Sequence, residues 1–211
     1  MADLKKLYNA VLSGDLKTAV AATQEALAAG VDPLELVSGQ MVPAMSEVGR
    51  RYECEEYFVP ELLLAARAMK GSLELLRPLL AARGAEPAGR VVIGTVKGDL
   101  HDIGKNLVSS MLEGGGFEVV DLGADVSPER FVEAIRSSNA NIVCLSALLT
   151  VTMPSMKTTI DAIERAGIRD RVKVLIGGAP VTAEYAARIG ADGYGESASA
   201  AVALARRLTG A

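Results

Sequence analysis

Histidine occurs once in the 211-residue chain, at position 101, tryptophan not at all, and cysteine only at positions 54 and 144. Any mechanism that needs two imidazoles is excluded. Two cysteines so far apart make neither a disulfide framework nor the paired spacing of a zinc site. A serine hydrolase would need a nucleophile elbow, and no Gly-x-Ser-x-Gly is present. Positive charge is in short supply as well: 22 Lys and Arg stand against 26 Asp and Glu, a net charge of −4. A basic face wide enough for a phosphate backbone is therefore not expected, and nucleic acid is not an expected partner. Long apolar runs are absent too. Leu62 to Ala68 is interrupted by Arg67, far short of the roughly 20 residues of a membrane span. The opening Met-Ala-Asp-Leu-Lys-Lys does not lead into a signal-type segment, so no membrane role and a cytoplasmic location are expected. What remains is a chain 50 % apolar and 23 % charged, the composition of a folded globular protein.

The apolar residues follow two different periods. Up to about Arg90 they recur at three and four, the spacing that keeps them on one side of a helix. Asp3 precedes a stripe of Leu4, Leu7 and Val11 that stops at Ser13-Gly14. Asp15 caps a second helix ending near Gly30. Asp32-Pro33 opens a third with the stripe Leu34, Val37, Met41, Met45 and Val48. Pro60-Glu61 opens a fourth with Leu62, Ala66, Met69, Leu73 and Leu76 inward, ending by Pro78. This predicts a four-helix bundle over residues 1–88. Residues 83–89, Arg-Gly-Ala-Glu-Pro-Ala-Gly, read as a linker. Beyond them short β-rich runs alternate with helical ones, with strands predicted at 90–96, 117–122, 141–146, 172–176 and 192–194. Runs such as Val-Val-Ile-Gly-Thr-Val and Ile-Val-Cys-Leu-Ser-Ala are apolar on both faces, as strands covered by helices on both sides must be. The fold class is therefore α/β: a helical bundle over 1–88, then a doubly wound five-stranded parallel sheet, Rossmann-like or flavodoxin-like, over 89–211. Ligands of such sheets sit outside the carboxyl ends of the strands, which directs attention to the loops after Val96, Ser146 and Ile176. Charge does not separate the halves strongly: nine basic against twelve acidic side chains up to residue 88, and 13 against 14 after it.

The loop after the first strand, Lys97-Gly98-Asp99-Leu100-His101-Asp102-Ile103-Gly104-Lys105-Asn106, holds the only histidine. Asp99, two residues earlier, can reach one ring nitrogen, fix the tautomer and leave the other nitrogen free as a metal ligand or base. A plain βα turn that caps its helix is the competing reading for an arbitrary Asp-x-His. Lys97 and Lys105 read as solvated lysines, with contact to an amide or phosphate of a ligand as the second possibility.

Asp99-x-His101-x-x-Gly104, followed by Ser146-x-Leu148 and by Gly177-Gly178, resembles the signature of the cobalamin-binding domain of methyltransferases and mutases. The extended His-Asp-Ile-Gly-Lys-Asn is closer to the methyl-transferring branch, which includes cobalamin-dependent methionine synthase. The stretch from Met45 to Pro78, with Phe58-Val59-Pro60-Glu61 and Ala68-Met69-Lys70, resembles the helical cap of that branch. Together they span nearly the whole chain, like the free-standing corrinoid proteins of methanol, methylamine and aryl methyl ether systems. The resemblance implies cobalamin or a related cobamide (methylcobalamin) as cofactor, with cobalt held on its lower face by His101. It implies that Asp99 and Ser146 orient that ligand and relay a proton, with no catalytic residue acting alone. It implies that Gly98, Leu100, Asp102, Gly104, Leu148, Thr150, Gly177, Gly178 and Ala198 line the cofactor site. Gly94 would leave room for the nucleotide tail beside the two later glycines. In the cap, Met41, Met45, Leu62 and Met69 read first as bundle core, and Phe58 is the candidate to touch the corrin. The activity implied is that of a methyl carrier. It would accept a methyl group from a substrate-specific methyltransferase and pass it to a second one acting on a thiol or pterin. A reductive activation protein and a homodimer are further possible partners. The alternatives are a cobalamin-responsive sensor, which would need a DNA-binding or signalling segment, and a mutase subunit using adenosylcobalamin.

Overall fold

The computed structural model describes residues 4–82 and 87–210. Asp3 and residues 83–86 of the expected linker lie outside them. The chain divides into two compact units, Met1–Pro87 with Glu113–Gly116, and Ala88–Leu112 with Phe117–Ala211.

The helical unit contains α1 (Leu4–Leu12), α2 (Leu16–Ala28), α3 (Pro33–Leu36), α4 (Val42–Glu53) and α5 (Val59–Ala82). Its starts follow the expected chemistry. Asp15 accepts the Thr18 N–H at 3.0 Å, and Asp32 accepts the Leu34 N–H at 2.8 Å with Pro33 in the first helical position, where its missing N–H costs nothing. Between α3 and α4 the backbone continues through a π-helical turn, Val37–Met41. That wider turn shifts the phase of the stripe. Leu34, expected inside, is 54 % exposed, and Leu36 is buried in its place ahead of Met41, Met45 and Val48. The last helix also differs from expectation, because it passes through Pro78 and ends at Ala82. Pro78 and Glu74, whose carbonyl loses its helical donor, are both exposed, so water can replace the missing bond. Leu36, Met41, Leu62, Met69 and Leu76 are fully buried, each contributing about 1.5–3 kcal/mol of transfer free energy.

The second unit is a five-stranded, all-parallel sheet in the order β2-β1-β3-β4-β5. The strands are β1 (Arg90–Thr95), β2 (Glu118–Asp121), β3 (Ile142–Ser146), β4 (Lys173–Gly177) and β5 (Gly193–Tyr194), close to the expected ones. Between and after them run α6 (Ile103–Gly114), α7 (Pro128–Ser138), α8 (Pro154–Arg165), α9 (Ala183–Ile189) and α10 (Ala198–Thr209). Alternate strand residues feed two cores. Val92, Val143, Leu145, Val174 and Ile176 pack with Phe131, Ile135 and Ile160 on one face. Val91, Ile93, Ile142, Cys144 and Leu175 pack with Leu112, Phe117 and Leu204 on the other. Cys144 is buried and free, and burial pushes its thiol up to about 12, so it stays protonated. The topological switch lies between β1 and β3, and the register aligns Thr95 with Ser146 and Ser146 with Gly177. The loops after β1, β3 and β4 therefore leave the sheet side by side, at the edge where such sheets hold ligands. No helix among the described residues is long and apolar enough to cross a membrane.

Candidate functional site

Asp99 lies in the loop after β1 and is completely buried. A buried carboxylate needs its oxygens satisfied, and this one has five donors. Oδ1 takes the His101 N–H at 3.0 Å and His101 Nδ1 at 2.7 Å. Oδ2 takes the Leu148 N–H at 2.8 Å, the Leu149 N–H at 3.3 Å and the Thr152 hydroxyl at 2.6 Å. Burial by itself would raise the acid's pKa, but the bonds from Thr152, Leu148 and His101 outweigh it and hold the carboxyl well below the usual carboxylate range. Ionised Asp99 can only accept, so Nδ1 of His101 carries the hydrogen, which in the neutral ring leaves the lone pair on Nε2. The imidazole is about half exposed, and Nε2 makes no hydrogen bond among the described residues. Thr95 Oγ1 donates to the His101 carbonyl at 2.9 Å, fixing the backbone of the same residue.

Thr152 belongs to none of the sequence motifs, which point instead to Ser146 as the next link after Asp99. Ser146 makes no hydrogen bond to Asp99 or His101. Five donors already fill the four or so acceptor sites of the carboxylate, and three of them come from the 148–152 turn that follows β3. A hydroxyl six residues beyond Ser146, in a turn opposite the histidine loop, was the signal available. Thr150 is exposed and makes no side-chain hydrogen bond among the described residues.

The polarity around His101 is inverted. Leu100 (76 %), Ile103 (85 %), Leu148, Leu149 and Val151 (80 %) are exposed, although all are large and apolar. Lys105, expected at the surface, is buried, its ammonium 2.5 Å from both Asp121 Oδ2 and Asn106 Oδ1. Lys97 is exposed as expected and pairs with Asp125 at 3.0 Å. Asp102 is exposed ahead of α6 and accepts from the Asn106 side-chain amide at 3.1 Å. A side chain at Gly104 would meet nothing within 4 Å, so that position borders open space.

The other expected glycines lie close against the protein's own atoms. A Cβ on Gly94 would come within 2.8 Å of Phe131, so core packing takes the room expected for a nucleotide tail. At Gly178, φ is +130° and a Cβ would lie 1.9 Å from the Ala147 carbonyl oxygen, so the loops after β3 and β4 pass at backbone contact and only glycine fits. Gly177 stands 3.1 Å from the Gly195 carbonyl by the same measure. Ala198 is buried at the start of α10, which Ser197 caps. In the helical unit Met41, Met45, Leu62 and Met69 are core, while Phe58 is 63 % exposed, its N–H donating to Glu61 Oε2 at 2.9 Å.

Comparison with known proteins accounts for this arrangement. A B12 binding domain model matches residues 89–203, and a second B12 binding domain model matches residues 3–77. Trimethylamine corrinoid protein 2 of Methanosarcina mazei is 44 % identical over 202 residues, covering 95 % of this chain and 93 % of that protein. The chain belongs to the B12-binding corrinoid proteins. Among solved structures, a cobalamin-binding protein from Desulfitobacterium hafniense DCB-2 superposes with a TM-score of 0.82 at 34 % identity, covering 99 % of both chains. The methanol:cobalamin methyltransferase complex from Methanosarcina barkeri matches with a TM-score of 0.86 at 30 % identity, covering 98 % of this chain and 79 % of that one.

As a B12-binding corrinoid protein the chain takes cobalamin or a related corrinoid, and the residues around His101 fit one. No cluster of three His, Cys, Asp or Glu side chains that would hold a bare metal ion occurs among the described residues. A lone neutral imidazole suffices only for a metal that arrives inside a macrocycle supplying its other ligands. The exposed leucines, Ile103 and Val151 offer that macrocycle an apolar bed, and Gly104 leaves the approach open.

Proposed function

We propose that this chain is a corrinoid-dependent methyl carrier of a methylamine-type system. In this reading it accepts a methyl group from a substrate-specific methyltransferase and yields it to a second methyltransferase acting on a thiol or pterin. The observation that carries the reading is His101 Nε2, without a hydrogen-bond partner among the described residues, on a half-exposed ring whose other nitrogen is held by a buried, ionised Asp99. The names of the relatives, which include trimethylamine and dimethylamine corrinoid proteins, support the donor class.

Under this proposal the helical segment 1–88 is a cap and segment 89–211 holds the cobamide. The bound cobamide supplies a metal able to take up and release a methyl group; the protein supplies ligation, orientation and exclusion of water. His101 presents Nε2 to cobalt. Asp99 would keep the imidazole in the Nδ1–H tautomer and so leave Nε2 available to the metal. Thr152 and the Leu148 N–H hold Asp99 in its buried, charged form, standing next to it where Ser146 was expected. Leu100, Ile103, Leu148 and Val151 cover apolar parts of the ring system. Gly98, Asp102, Gly104, Thr150, Gly177, Gly178 and Ala198 complete the proposed binding set, and Phe58 is the helical unit's candidate for contact with the cobamide.

Reconstitution with methylcobalamin tests the ligand assignment. The wild-type protein is expected to give the absorption spectrum of imidazole-ligated cobalt, and His101→Ala to lose it; an unchanged spectrum overturns the assignment. The carrier role is tested by methyl transfer from trimethylamine to a thiol in the presence of the two co-purifying methyltransferases. Transfer should stop when this chain is withheld, and transfer that continues without it removes the proposal.

A further inference from the structure

The loop that presents Asp99 and His101 is tied down from outside by one residue that neither the motif nor the family resemblance singles out. Asp125 lies in the loop between β2 and α7, across the sheet edge from the histidine loop. Its Oδ2 pairs with Lys97 Nζ at 3.0 Å, its Oδ1 accepts the Gly98 N–H at 2.8 Å, and its own N–H donates to the Asp99 carbonyl at 2.9 Å. Three successive residues of the histidine loop are thus held by a single aspartate. We propose that Asp125 is a positioning residue, which sets the conformation of residues 97–99 and so aims the Asp99–His101 pair.

Asp125 has φ +55°, a left-handed conformation that aspartate tolerates because its short carboxylate bonds to neighbouring backbone, and Gly98 opposite it has φ +87°. The Asp125 carboxylate is also 41 % exposed, so its bonds are partly screened and give the fold little. What they do give is geometry: Gly98 is the residue directly before Asp99, and a rotation of the peptide between them would swing the buried carboxylate off the His101 ring. Asp125 touches neither the ring nor the open side of the site, so its effect passes through Asp99 and His101. The expected effect therefore lies in presentation of the imidazole more than in stability.

The inference rests on the proposed ligation by His101, and its test separates the two. Asp125→Gly keeps the left-handed backbone and the bond to the Asp99 carbonyl while deleting the carboxylate. Asp125→Asn restores an acceptor for Gly98. In the cofactor-free protein the ring ¹⁵N resonances of the single histidine report its tautomer without ambiguity of assignment. The wild type should show the Nδ1–H form, Asp125→Gly a mixture of tautomers, and Asp125→Asn a return to the wild-type pattern. Loaded with methylcobalamin, Asp125→Gly should bind about tenfold more weakly, the equivalent of one hydrogen bond to a charged group, and shift partway toward the His101→Ala spectrum. Wild-type tautomer and affinity in Asp125→Gly would overturn the proposal. So would an Asp125→Gly protein that does not fold, since the carboxylate would then be a stability element, or an Asn variant no better than Gly. If His101→Ala leaves the loaded spectrum unchanged, the ligand reading fails while the cofactor-free tautomer still decides the role of Asp125.

Discussion

The helical unit and the α/β unit both bury apolar cores, but they differ in the polar groups buried with them. Inside the bundle the buried polar side chains are two hydroxyls. Thr23 bonds to the Ala19 carbonyl one turn back, and Ser72 has no partner among the described residues. Charges stay on the bundle surface in clusters such as Glu47 with Arg50 and Arg51. In the α/β unit a carboxylate, Asp99, and an ammonium, Lys105, are both inside, while Leu100, Ile103 and Val151 stand in solvent beside them. Burying a charge is costly unless its partners are in place, and exposing large apolar groups forgoes their transfer free energy. A polypeptide that does both within one loop cluster is arranged for something other than its own stability. The bundle also exposes large apolar side chains, Leu34 and Phe58 among them, but among the described residues it keeps its ions out.

Asp99→Ala should break that contrast most strongly. It strands the Leu148 and His101 N–H groups, while the Thr152 hydroxyl keeps the Leu149 carbonyl as an acceptor; a loss of about 3 kcal/mol is expected in urea denaturation, whereas Thr23→Val in the bundle should cost less than about 1 kcal/mol. Equal costs at the two positions would erase the distinction. Lys105→Met is expected to cost about 1–2 kcal/mol, because Asp121 is partly exposed and water can replace the ammonium; a cost above about 4 kcal/mol would mean that water does not reach it.

The exposed apolar residues offer the opposite signature. Ile103→Ser combined with Val151→Ser should leave stability within about 0.5 kcal/mol of wild type yet weaken methylcobalamin binding at least about threefold, as seen by titration of the cofactor's absorbance. Unaltered binding would show that these side chains lie away from the cofactor. The smallest effect belongs to the bundle surface. Hydrogen bonds from Arg50 and Arg51 hold the Glu47 carboxyl at about 2 against an ordinary 4.5. The folded state thus favours ionised Glu47, so its contribution is complete above pH 4.5 and is lost as pH falls through about 2. Acid titrations of wild type and Glu47→Gln should differ by a small constant amount above about pH 5 and converge toward pH 2. A difference that grows as the pH falls would contradict the ion-pair assignment.

Much of this was legible beforehand, and the misses have physical causes. The strands were visible because a parallel sheet covered on both faces leaves continuous apolar runs, and the helix starts were visible because Asp15 and Asp32 cap through their own side chains. Leu34 departs from the expected stripe because a π-helical turn alters the period locally, and α5 continues through Pro78 because its exposed surroundings, which the residue itself does not record, let water replace the missing bond. Lys105 was assigned to solvent by residue type. Its partner, Asp121, is 16 positions away and meets it only through the packing of β2 beside α6.

By itself the sequence determined the order of elements and the strand that would carry the lone histidine, together with Asp99 as its near neighbour. Those depend on periodicity and short-range spacing, which a linear string records. Tertiary structure decided what surrounds that pair. Thr152 is 53 residues from Asp99 and Asp125 is 27 from Gly98; both arrive only because strand order 2-1-3 sets three separate loops at one sheet edge. Long-range hydrogen bonds depend on register and topology, and no local pattern of residues encodes which distant donor will fill a buried acceptor.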